Sequence, residues 1–491
     1  MKAVWGMAAC FLAQSASAAA LFVGSQACRG CHLAIFESYA RTPMARSSGK
    51  VDSIPPAEFS AAGHRYKISE NRLSFDDGSA SFSYFIGSNT AGRTYATERD
   101  GYLFELPVTW YVKKHLWDAS PGYEHEQEVR LDRAIDPTCL ACHASRLRPV
   151  LGTQNRYGDP PFLDNGVGCE RCHGAGGEHV RNPAAAKMVN PAKLEAERRD
   201  SVCIQCHLTG AARIERPGRR FAEYRAGDKL SDFVSFFASD AAELKVTSHV
   251  EKLAASACKR ASGESLWCGT CHEIHSNMNR TQAACLNCHM DAHHQQEQCV
   301  TCHMPKSAAT DIGHDVVTDH SIPRVPGRST SGKKSGDLVA VVGTSDARSL
   351  GLAYAELGDA RARDYLSRVQ PADADVLLRL ATLEHDPKRA ASLYEAALRM
   401  DPHQPAALVN LGVLYARVGR TADAAKLWQR ALETNPALEQ PVLNLAQILP
   451  PAEARVVIER YLQFNPGSVA VRKLIPTTAP LAPGALSPHR D

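Results

Sequence analysis

Seven short segments of the chain place two cysteines and a histidine in one order, Cys-x-x-Cys-His, and contain fourteen of its 16 cysteines. We number these motifs 1 to 7 along the chain. Their cysteines are Cys28, Cys31, Cys139, Cys142, Cys169, Cys172, Cys203, Cys206, Cys268, Cys271, Cys285, Cys288, Cys299 and Cys302, and their histidines are His32, His143, His173, His207, His272, His289 and His303. One spacing repeated seven times indicates one shared chemical role.

That role is predicted by the order of the three side chains, which is the attachment order of a c-type haem. Two sulfurs form thioethers with the haem vinyl groups, and the adjacent histidine binds the iron as its proximal ligand. Zinc sites and disulfides also use paired cysteines, but neither requires a histidine after every pair. The motifs therefore predict about seven covalently bound haems c.

Motifs 6 and 7 begin at Cys285 and Cys299. These two cysteines are fourteen residues apart. Fourteen residues of helix would span only ~21 Å, so the haems attached at the two motifs must be neighbours. Electron tunnelling requires such proximity, because its rate falls steeply with distance. The spacing favours a relay of electrons between packed haems.

Histidines outside the motifs are candidates for the distal side of the irons. His179 and His275 closely follow motifs 3 and 5, where they are poorly placed for their own irons and better placed for a neighbour's. His249 stands at a predicted helix start, while His314 and His320 follow motif 7 and could fold back over motifs 5 to 7. We expect these five to be distal ligands.

Met44 is a further candidate, twelve residues after His32 with no histidine nearby. Ligation by histidine and methionine would raise the potential of that haem above that of haems with two histidines. The competing interpretation is that Met44 only fills the core.

The first residues, MKAVWGMAACFLAQSASAAA, combine an early lysine, an apolar run and small residues before Ala18. This pattern predicts a signal peptide over 1–18 and an exported, for example periplasmic, protein. Elsewhere no stretch approaches the ~20 apolar residues of a membrane span.

Composition changes along the chain predict a mainly α fold in several parts. A heptahaem domain over 19–322 contains a strand-rich insert over 57–112 with alternating apolar residues. The following segments are a polar linker over 323–345, tetratricopeptide repeats over 346–470 and a disordered tail over 471–491.

The repeats are predicted by spaced small and large residues in which the small ones let paired helices approach. The best unit has Leu408, Leu411, Gly412, Tyr415, Ala424, Trp428, Ala431 and Pro436. Three to four such helix pairs would form a small α-solenoid; the alternative is an ordinary helical bundle.

The formal net charge of +3 and the 22% of charged residues give no indication of a nucleic-acid partner. Two propionates on each haem would make the loaded protein acidic, which favours a basic surface on its redox partners.

Several segments carry a resemblance to a family: SQACRGCH, GYLFELPVTWY, WDASPGY, CERCHGAGGEHV, VCIQCHL, CGTCHEIH and CVTCHMPK. They resemble exported multihaem cytochromes c with C-terminal tetratricopeptide repeats, whose haem region is related to the tetrahaem cytochromes of the hydroxylamine oxidation pathway. The resemblance implies haem c at all seven motifs and distal ligands at His179, His249, His275, His314 and His320, with Met44 at a common methionine position. The chain departs from the family pattern over 59–66, which leaves one haem without an assigned distal ligand.

Three functions are compatible with these features. The leading one is an electron-transfer protein whose repeats dock redox partner proteins, with oligomers possible. The alternative is an oxidoreductase that reduces a nitrogen or sulfur oxyanion at one five-coordinate haem, with Lys113, His115, Tyr123 and His125 as candidate helpers. A purely scaffolding role is the third.

Overall fold

The computed structural model describes residues 22–76, 78–88, 90–239, 244–278, 281–289, 299–325 and 336–475. The predicted signal peptide lies outside these ranges, as do most of the predicted tail and residues 326–335 of the predicted linker. None of the helices in these ranges is long and apolar enough to cross a bilayer.

Two antiparallel sheets follow motif 1, with strand orders β1-β6-β7-β8-β9 and β2-β3-β4-β5. Asp100 and Gly101 join β7 to β8, and both have the positive φ, 53° and 81°, of a tight two-residue hairpin turn. The strands are β1 Ser48–Lys50, β2 Ala57–Ala61, β3 His64–Ser69, β4 Arg72–Phe75, β5 Gly78–Ser81, β6 Tyr84–Ile86, β7 Gly92–Arg99, β8 Tyr102–Tyr111 and β9 Leu116–Ala119.

Aromatic side chains join these two sheets. The ring of Trp117 on β9 lies 5.7 Å from that of Phe59 on β2 and 5.4 Å from that of Tyr95 on β7. Tyr66 and Ile68 alternate with exposed residues along β3 and are buried in the same core. The predicted strand-rich insert is therefore the packed, rigid part of the N-terminal half.

The motifs lie on or beside short helices. A helical turn places residues i and i+3 on one side, so both cysteines of a motif can face one ligand. The Asp136 side chain caps α2 by accepting hydrogen bonds from the backbone of Thr138 at 2.8 Å and of Cys139 at 3.1 Å. The helices are α1 Leu33–Tyr39, α2 Pro137–Leu140, α3 Cys169–His173, α4 Gly177–Arg181, α5 Ala196–His207, α6 His249–Ala254, α7 Ala257–Ser262, α8 Cys268–Cys271, α9 Thr281–Leu286 and α10 Cys299–His303.

Three small sheets complete the motif-bearing region, and one of them includes a strand from the predicted linker. The strands are β10 Ser145–Pro149, β11 Tyr157–Asp164, β12 Ala212–Glu215, β13 Val234–Ser239, β14 Lys306–Ala308, β15 Val316–Thr318 and β16 Leu338–Val342. They pair as β10-β11, β12-β13-β16 and β14-β15. The predicted polar linker over 323–345 includes β16, which is a strand and pairs with β13 of the motif-bearing region.

Paired helices form the C-terminal part, as the spacing of small residues predicts. In the best unit the Cβ of any residue larger than glycine at Gly412 would lie 2.4 Å from the indole nitrogen of Trp428. The helices are α11 Ala347–Glu356, α12 Arg361–Leu366, α13 Ala374–Leu383, α14 Pro387–Met400, α15 Pro405–Arg417, α16 Thr421–Thr434, α17 Glu439–Ile448, α18 Pro451–Phe464 and α19 Val469–Arg472.

The repeat helices contact the motif-bearing region at both ends. At the first end, the Arg348 guanidinium on α11 donates a 2.8 Å hydrogen bond to the backbone oxygen of Glu215. At the other end, the Phe464 ring packs edge-on against Tyr102 and Phe104 of β8, with centroids 5.9 and 6.0 Å apart.

The expected mainly α fold is only partly correct. Of the described residues, 41% are helical and 20% are in strands. The strand content is high because β structure extends beyond the predicted insert into the segments between motifs.

Candidate haem-binding region

The structure brings motif histidines close to histidines from outside the motifs, with the ring planes nearly parallel. Three such pairs have nearly the same ring separation and small interplanar angles. They are His32 with His179 at 6.4 Å and 21°, His173 with His275 at 5.9 Å and 12°, and His272 with His320 at 6.3 Å and 20°.

This separation suits an iron atom between the rings. Two metal–imidazole bonds of about 2 Å each, plus the distance from each nitrogen to its ring centre, place the centroids about 6 Å apart. The geometry therefore fits a haem iron with two histidine ligands.

Hydrogen bonds orient several of these rings. In each case the Nδ1 atom faces a backbone carbonyl, which can only accept, so Nδ1–H donates and the lone pair remains on Nε2. The bonds join His173 to Val189 at 2.7 Å, His179 to Ala186 at 2.8 Å, His303 to Pro323 at 2.9 Å and His320 to Thr318 at 3.0 Å. This tautomer presents Nε2 as a metal ligand.

Four histidines form a compact, partly buried cluster where motifs 4 and 5 meet. The ring of His249 lies 5.2 Å from His207 and 4.6 Å from His320, at steep angles of 76° and 82°, and His320 faces His272. Burial, and then the neighbouring imidazoles, lower the pKa of His207 to about 4 and that of His249 to about 3. Both rings are therefore neutral at physiological pH, the form that binds metals.

Cysteine thiols of different motifs also interact, which gives the order of the motifs in space. The thiol pairs are Cys28 with Cys169, Cys142 with Cys206, Cys203 with Cys268 and Cys285 with Cys299. Motif 1 thus lies beside motif 3, motif 2 beside motif 4, motif 4 beside motif 5 and motif 6 beside motif 7. The spatial order differs from the sequence order.

The hydrogen bonds of Met44 are made by its backbone. Its backbone oxygen accepts hydrogen bonds from the Ser47 hydroxyl at 2.8 Å and from Val167 at 2.9 Å, and that hydroxyl also contacts the backbone oxygen of His143 at 2.8 Å. The ligand role of Met44 remains a prediction, with motif 2 as the adjoining motif.

His314 is not brought to a motif histidine in the described ranges. Its Nε2 lies 2.6 Å from a carboxylate oxygen of Asp118, and its ring lies 4.7 Å from that of Tyr111. Its ligand role also remains a prediction.

The residues proposed to assist a reductase are dispersed. Lys113 forms an ion pair with Asp315, and Tyr123 packs under the Arg133 guanidinium at 4.0 Å. His115 lies against Trp110 at 6.4 Å, and His125 is exposed.

A functional carboxylate that the sequence pattern did not reveal is Glu170 inside motif 3. Only 4% exposed, it accepts hydrogen bonds from the backbone of Val23 at 3.0 Å, Gly24 at 2.8 Å and Gly176 at 2.7 Å. Glu170 thereby ties the segment before motif 1 to the turn after motif 3, and no local sequence signal distinguishes it from other variable motif positions.

Haem c fits the paired rings, the hydrogen bonds at Nδ1 and the neighbouring thiols. Comparison with protein families also points to a cytochrome c. Residues 110–174, which include motifs 2 and 3, match the family described as cytochrome c554 and c-prime. Residues 381–448 match the tetratricopeptide repeat family. No curated protein matches the chain.

Comparison with solved structures gives matches with low TM-scores. The outer cell wall cytochrome OcwA is 16% identical, with 84% of this chain and 99% of that chain covered and a TM-score of 0.41. MamA, as its D159K mutant, is 24% identical over 26% of this chain and 81% of its own, with a TM-score of 0.24. YrrB, described as a TPR protein with an unusual peptide-binding site, is 18% identical over 26% of this chain and 71% of its own, with a TM-score of 0.23.

The chain therefore contains one segment similar to the cytochrome c554 and c-prime family and another similar to the tetratricopeptide repeat family.

Proposed function

We propose that this protein is an exported multihaem cytochrome c that relays electrons through about seven covalently bound haems and docks redox partner proteins through its repeat domain. The observation that carries the proposal is the set of three histidine pairs with ring separations of 5.9 to 6.4 Å.

When bound, haem c supplies an iron that changes between the ferric and ferrous states. His32 with His179, His173 with His275, and His272 with His320 would hold that iron, and the backbone carbonyls that accept from Nδ1 of His173 and His179 restrict rotation of these two rings. Two histidine ligands on an iron would favour electron transfer over binding of a substrate.

The relay is supported by how the pairs connect motifs. His179 follows motif 3 but faces His32 of motif 1, and His275 follows motif 5 but faces His173 of motif 3. The segments that follow motifs 3 and 5 would therefore also supply the opposite ring of a neighbouring site. This arrangement keeps successive sites close and leaves little freedom between them.

Resting-state EPR on the purified, natively exported protein tests this function, together with intact mass and the pyridine haemochrome assay. We expect a mass increase of about seven haems and mainly low-spin ferric signals from paired histidines. A bare processed chain without a Soret band contradicts the proposal.

The same EPR experiment examines the reductase alternative. A high-spin ferric signal that shifts on addition of cyanide or nitrite would identify an open iron and favour an oxidoreductase. Low-spin spectra that neither anion changes favour the carrier.

A further inference from the structure

The guanidinium of Arg171, inside motif 3, lacks the partners that a buried charge requires. Its Nε and Nη2 atoms are buried with no hydrogen-bond partner among the described residues. Nη1 donates only a long 3.5 Å bond to the backbone oxygen of Tyr224. An unpaired buried cation is strongly unfavourable, so an anion is needed here.

The hydroxyl of Tyr224 also lacks a hydrogen-bond partner among the described residues. The residue is 0% exposed, and its hydroxyl is buried. Burial raises the pKa of this phenol, so it remains protonated and can donate. The position thus offers several unused donors, two from Arg171 and one from Tyr224, and lacks an acceptor.

Three motifs meet around these donors. The positive charge of Arg171 acts on the thiols of Cys142 in motif 2 and Cys206 in motif 4, which lie beside each other. Tyr224 is close enough to Cys172 and Cys203 to interact electrostatically with both thiols. Once these sulfurs are thioethers, they carry no charge that could neutralise Arg171.

We propose that Arg171, assisted by the Tyr224 hydroxyl, binds the carboxylate of a haem propionate from a haem of motif 2, 3 or 4. A guanidinium and a carboxylate match in planar, two-point geometry, which accounts for the two unused nitrogens. The haems bring such carboxylates into the interior in fixed number, whereas a free anion would have to enter. The proposal rests on the proposed function, because it requires bound haem.

The test compares Arg171→Gln with Arg171→Lys and with the control Arg29→Gln. Arg29 also lies between the two cysteines of a motif, but it is exposed. Haem content is measured by intact mass and pyridine haemochrome, and midpoint potentials by spectropotentiometry at one pH. Loss of a buried cation favours ferric iron, so we expect a lower potential for one or two haems in Arg171→Gln, a smaller decrease in Arg171→Lys and none in Arg29→Gln.

Tyr224→Phe gives an independent result if Arg171→Gln does not accumulate. It removes one hydroxyl and should lower the same potential by less. The propionate site is overturned if every variant that accumulates, Tyr224→Phe included, has full haem content and unchanged midpoint potentials. Absence of haem from the unmodified protein refutes the proposed function instead. A wild-type potential that shifts with phosphate at constant ionic strength, and loses that shift in Arg171→Gln, identifies a free anion and also overturns it.

Discussion

A hydrogen bond from Nδ1 to a carbonyl leaves Nε2 of a histidine available to a metal. His179 donates to Ala186 and faces His32, whereas His314 directs Nε2 to Asp118. Two histidines that were equal candidates in the sequence thus have different atoms available. The hydrogen-bond partner of each ring, a carbonyl or a carboxylate, determines which ring nitrogen remains available to a metal.

Replacement of His179 by alanine tests the first pair. The thioethers and His32 still hold the haem of motif 1, so we expect about seven haems in the variant but one high-spin ferric centre in its EPR spectrum. His385→Ala, an exposed position in the repeat domain, is the matched control and should leave the spectrum unchanged. An unaltered low-spin spectrum for His179→Ala would remove this residue from the ligand set.

The sequence was sufficient to predict the motifs and the distal candidates, because attachment depends on a local spacing. It was insufficient to predict which candidate faces which motif. Glu170 holds Val23 and Gly24 near motif 3, and His179 meets His32 in the same part of the molecule; both contacts join residues far apart in sequence. Such pairing is a tertiary property that local periodicity does not encode.

Among the elements, the α15–α16 pair shows why its small residues are required. Trp428 is 2% exposed and donates a 3.1 Å hydrogen bond from its indole to the backbone oxygen of Val409, which fixes the ring over Gly412. The close approach of the two helices depends on the missing side chain.

Gly412→Val should therefore destabilise the repeat domain. The added methyl groups would overlap the indole of Trp428, and overpacking of this kind costs about 1–3 kcal/mol. Ala422→Val, an exposed site on α16, is the control for adding a β-branched residue to a helix. Denaturant unfolding followed by circular dichroism measures the difference; equal stability of the two variants would contradict the packing argument.

Strand β16 was missed for a physical reason. The polar, Pro-, Gly- and Ser-rich run before it dominates the composition of 323–345, and only the five residues Leu338–Val342 are apolar enough to form a strand. A strand of this length gains its stability from the partner β13, where Phe236 and Phe237 are 2% and 0% exposed. Composition averaged over a longer window concealed it.

At the scale of the whole molecule, the repeat domain is anchored at two separated places, through α11 and through the end of α18. Near the second place, the side chain of Asn465 accepts a 3.1 Å hydrogen bond from the backbone of Leu131. We infer that the repeats hold a constant orientation relative to the haem sites.

Phe464→Ala tests this second anchor. Phe464 is 3% exposed between Tyr102 and Phe104, and truncation of a buried phenylalanine costs about 3–5 kcal/mol. We expect the C-terminal repeats to become sensitive to limited proteolysis while the haem absorbance is retained. Val418→Ala, 71% exposed, should behave like the unmodified protein. Equal protease resistance of Phe464→Ala and the unmodified protein would contradict an anchoring role.

The strand Leu338–Val342 also sets where the protein can be divided. Suppose that the repeats from Asp346 onward are fused to another protein without the preceding strand. The part left behind would lose part of the pairing of β13 if β16 were removed as well, and α11 in the fusion would lack the sheet on which it packs. A chimera in which the repeats are exchanged to change the redox partner should therefore take residues 338–342 and strand β13 from the same protein.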